Sequence, residues 1–291
     1  MSMNGSQIIF HADDYGACRE VSEHILDCYR NGALCSLSVL PNGKALEESM
    51  ELLASAQDKI KVSIHFNLAE GHCVAEPSQV PLLVDERGMF HISFFKVLLW
   101  SFTGKRKELR HQIELEMSAQ FARMLPYVDS IRVDSHQHYH MIPVVLQSIL
   151  KTVKDSGREI EFIRIPAEPL SPFLKQPELW RTFRPINLVK NLVLNVLNVM
   201  DMRTLKPYRG KSAVFFGILL SGGMDLQRVR RLLPDFRKIA DRKDLPLEIL
   251  CHPGGVEQPE SLMDVKNTDC VWFYTSEGRK IEKEMLMHIR D

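Results

Sequence analysis

The sequence predicts an α/β fold of about seven parallel strands, arranged as a closed or nearly closed TIM-barrel-like barrel rather than an open sheet. Three observations point there. Short β-rich runs alternate with helical stretches along the chain, 45% of the 291 residues are apolar against 25% charged, and nearly every apolar run ends in a residue able to do chemistry. The alternation implies right-handed crossovers and a mainly parallel sheet. The composition is that of a globular chain with a full core. A barrel would gather the strand ends at one mouth.

The first strand, 7–10, carries the apolar Ile8-Ile9-Phe10 and runs into His11-Ala12-Asp13-Asp14-Tyr15-Gly16. Adjacent carboxylates at a strand end can divide metal ligation from proton transfer, although Asp-Asp also serves plain turns and helix caps. The second strand, 36–40, is followed by Asn42, and the third, 61–64, by His65. Residues 76–104 break the rhythm with Pro77, Pro81, a polar turn at 85–88 and then Phe90, Phe94, Phe95, Trp100 and Phe102. That is long for a connection, so an insertion over the active-site face is expected. Its aromatics could stack on a sugar, pack a homodimer contact or bury against the insertion's own helix.

Leu109, Ile113, Met117, Phe121 and Met124 recur at three and four residues, the spacing of one helical face. The fourth strand, 130–133, enters Asp134-Ser135-His136-Gln137-His138-Tyr139-His140, and the fifth, 161–165, contains Arg164. His136 and His140 would share a face on a helix, whereas 136, 138 and 140 would point the same way in extended backbone, so spacing alone does not select a metal ligand. His136 lies closest to the strand end, which leaves His138 and His140 for supporting or substrate contacts. Residues 168–205, with Asn187, Asn191, Asn195 and Asn198 interleaved among apolar residues, read as a lid or packing helix. Strands at 213–216 and 247–251 follow, the last ending at His252-Pro253-Gly254-Gly255.

Thirty-seven basic residues balance 37 acidic ones, so no global field favours nucleic acid or an anionic membrane, and a neutral substrate fits better. No basic N-terminal segment leads into a long apolar stretch, and no window is apolar enough to span a bilayer. A cytoplasmic chain starting near Met1 and forming one domain over 1–291 is the expectation. Six cysteines without a Cys-x-x-Cys pair argue against a zinc ribbon or disulfide scaffold, and Cys251 reads as a core residue.

The segments HADDYG (11–16), SIHFNLAEG (63–71) and DSHQHYHMIP (134–143), in that order, resemble the YdjC-like carbohydrate deacetylases, a family that includes chitooligosaccharide deacetylases and is related to NodB-like polysaccharide deacetylases. The resemblance is strong over the first half and extends weakly through RIP (164–166) and CHPGG (251–255). It implies a distorted (β/α) barrel, a divalent metal held by one Asp and two His, and hydrolysis of an N-acetyl group from a sugar. Asp14, His65 and His136 match the metal ligands, and Asp13 the catalytic base. Arg164 is similar to the arginine that orients the base, and His252 to the general acid. Asn42, Asn67, Glu70, His138 and His140 are expected to contact substrate. The resemblance implies Mg²⁺, whereas two imidazoles and one carboxylate favour Zn²⁺ or another transition metal by ligand softness. A metal-dependent phosphoesterase and a non-catalytic sugar-binding barrel are the alternatives.

Overall fold

The computed structural model describes residues 5–55 and 60–290; the expected start at Met1 lies outside them. Seven strands form one parallel sheet: β1 (Ile8–Tyr15), β2 (Ser36–Val39), β3 (Lys61–Phe66), β4 (Ile131–Ser135), β5 (Ile160–Ile163), β6 (Val214–Phe216) and β7 (Leu247–Cys251), in the order β5-β4-β3-β2-β1-β7-β6. The helices are α1 (Arg19–Asn31), α2 (Leu46–Ala54), α3 (Phe94–Trp100), α4 (Arg106–Met124), α5 (Pro143–Asp155), α6 (Ser171–Leu174), α7 (Pro185–Met200), α8 (Met202–Leu205), α9 (Leu226–Lys243), α10 (Thr268–Thr275) and α11 (Glu277–His288).

Of the expected closed or nearly closed barrel, full closure does not occur among the described residues. β5 and β6 end the order without pairing, so this is a curled half-barrel rather than a closed barrel. The curl is nonetheless pronounced. Four strand spacings separate β5 from β1, about 19 Å in a flat sheet, yet Arg164, just past β5, bonds Asp13 in β1 at 2.8 and 2.9 Å. The two unpaired edges are bridged by side chains instead, as when the Glu168 carboxylate accepts from the backbone N–H of Gly217, Ile218 and Leu219 beyond β6.

Strand positions follow the apolar runs, and Cys251 is fully buried in the core as expected. The anticipated stripe on α4 is buried throughout. Beside it α4 carries a second buried stripe, Gln112, Glu116 and Gln120, which binds the backbone of Leu82, of Val74 and Ala75, and of Asn67. A helix that buries polar groups must find them partners, and here the partners are the loop after β3. The insertion is tied down on its other side, where Tyr139 donates to the Ile92 carbonyl and packs edge-on against Phe94. Phe90 is buried, whereas Phe95 and Phe102 stand exposed. Of the two readings for 168–205, packing helix is the one observed: α7 buries Asn187, Asn191, Leu194 and Leu197 against the body.

Candidate active site

β1, β3 and β4 bring their polar ends together because His65 and Asp134 are register partners on adjacent strands and β1 continues past its apolar run to Tyr15. Asp13 and Asp14 thus belong to the strand itself. Asp14 takes a positive φ of 71°, an uncommon conformation for a non-glycine residue that turns its carboxylate away from the alternation of the strand. Asp14, His65 and His136 each offer a ligand atom within 4.8 Å of the others, and all three are buried. His11, Asp13 and Asp134 form a second such group beside them.

Arg164, wholly buried, grips Asp13 bidentately and also reaches Asp134 at 3.0 Å and Glu248 at 2.9 Å. Burial alone would raise the Asp13 carboxyl, but the Arg164 guanidinium and the His65 ring beside it hold it well below the usual carboxylate range. Asp13 is therefore ionised and oriented. His65 donates from Nδ1 to Asp134 at 2.6 Å, which fixes its ring so that Nε2 faces Asp13 at 3.7 Å and Asp14 at 3.8 Å. That Nε2 is buried and has no protein hydrogen-bond partner.

His136 lies between two carboxylates, with Nδ1 at 3.0 Å from Asp14 and Nε2 against Glu70. Burial pulls its pKa down, but Glu70 and Asp14 overcome this and push it up to about 10. Glu70 is delivered by a loop built from the two asparagines. Asn67 accepts from the N–H groups of Ala69 and Glu70, and both Asn67 and Asn42 donate to the Glu70 carbonyl. Asn42, Asn67 and Glu70, expected at the substrate, are thus engaged with one another and with His136. His140 is engaged as well, bonding Ser135 at 2.7 Å and the Arg164 carbonyl at 3.0 Å, and burial draws it down to about 4, leaving the ring neutral. His138 sits at φ 60°, packs edge-on against Phe215 and keeps a buried Nδ1 without a partner. His252 is partly accessible, its side chain 15% exposed, with Nδ1 3.6 Å from Glu282.

A profile of YdjC-like proteins matches residues 7–289. The chain belongs to the YdjC-like family. Among its relatives, the carbohydrate deacetylase of Xenopus laevis is 24% identical over 283 residues, covering 87% of this chain and 83% of that protein. The carbohydrate deacetylase of Danio rerio is 28% identical over 56% of this chain and 50% of its own length, and that of Mus musculus 30% identical over 56% and 51%. The match to these two spans about half the length of each relative. A crystal structure from Enterococcus faecalis V583, whose name assigns it to cellobiose-phosphate cleavage, shares the fold with a TM-score of 0.68 and 16% identity, covering 99% of this chain and 93% of that one.

The YdjC-like match reaches the C-terminal helix, and so does the site, which the motif-based reading missed. Arg279 in α11 bonds Asp14 at 3.1 Å and the Gly254 carbonyl at 2.7 Å, while Glu282 accepts from the backbone N–H of His252 and of Gly222. Both are buried on the helix face that also buries Met285 and Leu286. Charges on the buried stripe of an amphipathic helix were the available signal. His11, Asp134 and Glu248, to which the motifs assign no role, are buried in the same site.

The donors suit a cation. Six buried carboxylates, from Asp13, Asp14, Glu70, Asp134, Glu248 and Glu282, face two buried guanidiniums, from Arg164 and Arg279, and the protonated His136 ring. A divalent ion would offset that excess, and the unpartnered His65 Nε2 in its fixed tautomer is the ligand atom such an ion requires.

Proposed function

We propose that this chain is a metal-dependent deacetylase that removes the acetyl group from N-acetylated sugars or short chitooligosaccharide-like oligosaccharides and releases acetate. The observation that carries the reading is the juxtaposition of an arginine-held Asp13 with the Asp14, His65 and His136 donors around one unpartnered imidazole nitrogen. Relatives named carbohydrate deacetylase support the reaction class.

Asp14, His65 and His136 would hold the metal, Mg²⁺ by family resemblance, with Zn²⁺ the better match to two imidazoles and a carboxylate. When bound, the ion supplies Lewis acidity toward the acetyl carbonyl and the attacking water. Asp13, kept ionised and aimed by Arg164, takes the proton that the water gives up as its oxygen bonds the carbonyl carbon. The amide C–N bond then breaks as His252 passes a proton to the departing amine nitrogen, so acetate and the free amino sugar leave without building an amide anion. Glu282 holds the His252 backbone and faces its ring, which keeps the acid in position.

Acetate release from N-acetylated mono-, di- and trisaccharides, with and without chelator, tests this. Chelator-sensitive release restored by a divalent ion is the expected result. Phosphate release from sugar phosphates with no acetate would move the assignment to a phosphoesterase. Sugar binding without turnover would leave a non-catalytic barrel.

A further inference from the structure

Among the described residues, α7 exposes more large apolar side chains than any other helix. Ile186, Val189, Leu192, Val196 and Val199 recur at three and four residues and are 47–66% exposed, directly opposite the buried Asn187, Asn191, Leu194 and Leu197. Lys190, on the flank, is the helix's one charged residue. A helix laid on a globular body normally turns polar groups outward, and scattered exposed aliphatics are ordinary whereas a continuous stripe marks a docking face.

The surroundings identify the occupant. Arg181, Arg184, Lys190, Arg203, Lys206 and Arg209 are all exposed, and among the described residues none of them forms an ion pair. The single acid in the stretch 181–224 is Asp201, which is buried. Trp180 and Trp272 stand exposed alongside, with the Arg184 guanidinium over the Trp272 ring at 5.2 Å. The neutral total charge of the chain averages this segment away. From the aliphatic face, its cationic border and the flanking tryptophans we infer that α7 docks peripherally on an anionic lipid bilayer, its side chains entering the headgroup boundary. No helix of the described residues is long and apolar enough to cross a membrane, so the contact is with the surface. A second copy meeting this face across a two-fold axis would set the same cations against one another. α7 is anchored through Asn191 to Glu168 and through Asn187 to the carbonyls of Leu219 and Ser221, past the carboxyl ends of β5 and β6 and so at the end of the sheet where Asp13 and Asp14 lie.

Co-sedimentation of the full chain with vesicles of phosphatidylcholine alone, or with phosphatidylglycerol added, tests the inference. Binding should be at least about tenfold stronger to the anionic vesicles and weaken with salt. Leu192→Glu with Val196→Glu should abolish it, and Lys190→Glu with Arg203→Glu, which leaves the aliphatic stripe intact, should reduce it several-fold. Should the first pair unfold, judged by circular dichroism, the second still decides. Equal binding to both vesicle types, binding to neither, or charge-reversed protein that binds like the parent would each overturn the inference. So would a dimer by light scattering that Leu192→Glu converts to monomer, since a second copy would then own the face.

Discussion

Two buried polar networks sit at the same end of this sheet, and they are finished differently. Around Glu168, both carboxylate oxygens are used: one accepts from Gly217 and Ile218, the other from Leu219 and Asn191. Around Asp13 and Asp14 the bonding is as dense, yet His65 Nε2, Glu70 Oε2, His138 Nδ1, Tyr274 OH and Arg279 Nη2 have no protein partner, five of the eight such atoms among the described residues. A buried polar atom left unpaired costs about 1–3 kcal/mol. A completed network is what structure alone asks for, and an incomplete one marks where the protein meets something other than itself.

The largest expected effect is at the incomplete network. His65→Ala removes one of three donors, and metal content and acetate release should be lost together, with a fall in the thermal midpoint of the metal-free protein as well because buried Asp134 loses this hydrogen-bond partner. Elemental analysis beside an activity assay reads both, and full metal occupancy in this variant would remove His65 from the ligand set. His252→Asn should keep the metal and lower kcat by about 10² to 10⁴ on sugar amides. On an acetyl ester with a good leaving group, which needs little protonation, most of that rate should return. Equal losses on both substrates would make His252 a structural or binding residue.

The complete network should answer in the opposite way. Glu168→Ala strands three backbone N–H groups and frees both sheet edges, so unfolding in denaturant should show a loss of about 3 kcal/mol. The protein that remains folded should bind metal normally. A Glu168→Ala variant as stable as the parent would mean that the bridge between β5 and β6 carries no weight.

A smaller effect separates this network from its neighbour at the end of α7. Asp201 is buried with one unpartnered oxygen, and burial raises its carboxyl from 3.8 to about 7. The folded state then holds a proton that the unfolded state has given up, so stability should fall as pH rises from about 4 to about 7 and level off above. Asp201→Asn should flatten that slope, as measured by thermal midpoints across the range. An unchanged slope would assign it to another group.

Much of this was legible in the sequence, and the parts that were not have a common cause. The seven strands were found because fully buried parallel strands are apolar runs. The end of β1 was missed because its continuation, from His11 to Tyr15, turns charges inward, where only residues far away in sequence satisfy them. The same blindness hid Asp134, Glu248 and the two charges of α11: each looks like a surface residue until Arg164, Asp14 or the His252 backbone is known to be opposite. Asn42, Asn67 and His140 lie beside the buried carboxylates and make structural hydrogen bonds there, a role that local sequence does not distinguish from contacting a substrate. Closure failed for a different reason, since strand periodicity carries no information on whether the first and last strands of the order meet.

We propose a division of labour between adjacent carboxylates, Asp14 for the metal and Asp13 for the proton. Acetate release and metal content measured on the same sample of Asp13→Asn test it most directly. Asn keeps the size and polarity of the side chain but cannot accept the proton, so the metal should remain at parental stoichiometry while turnover falls by about 10²-fold or more. Parental turnover by Asp13→Asn, or loss of the metal along with the activity, would contradict it.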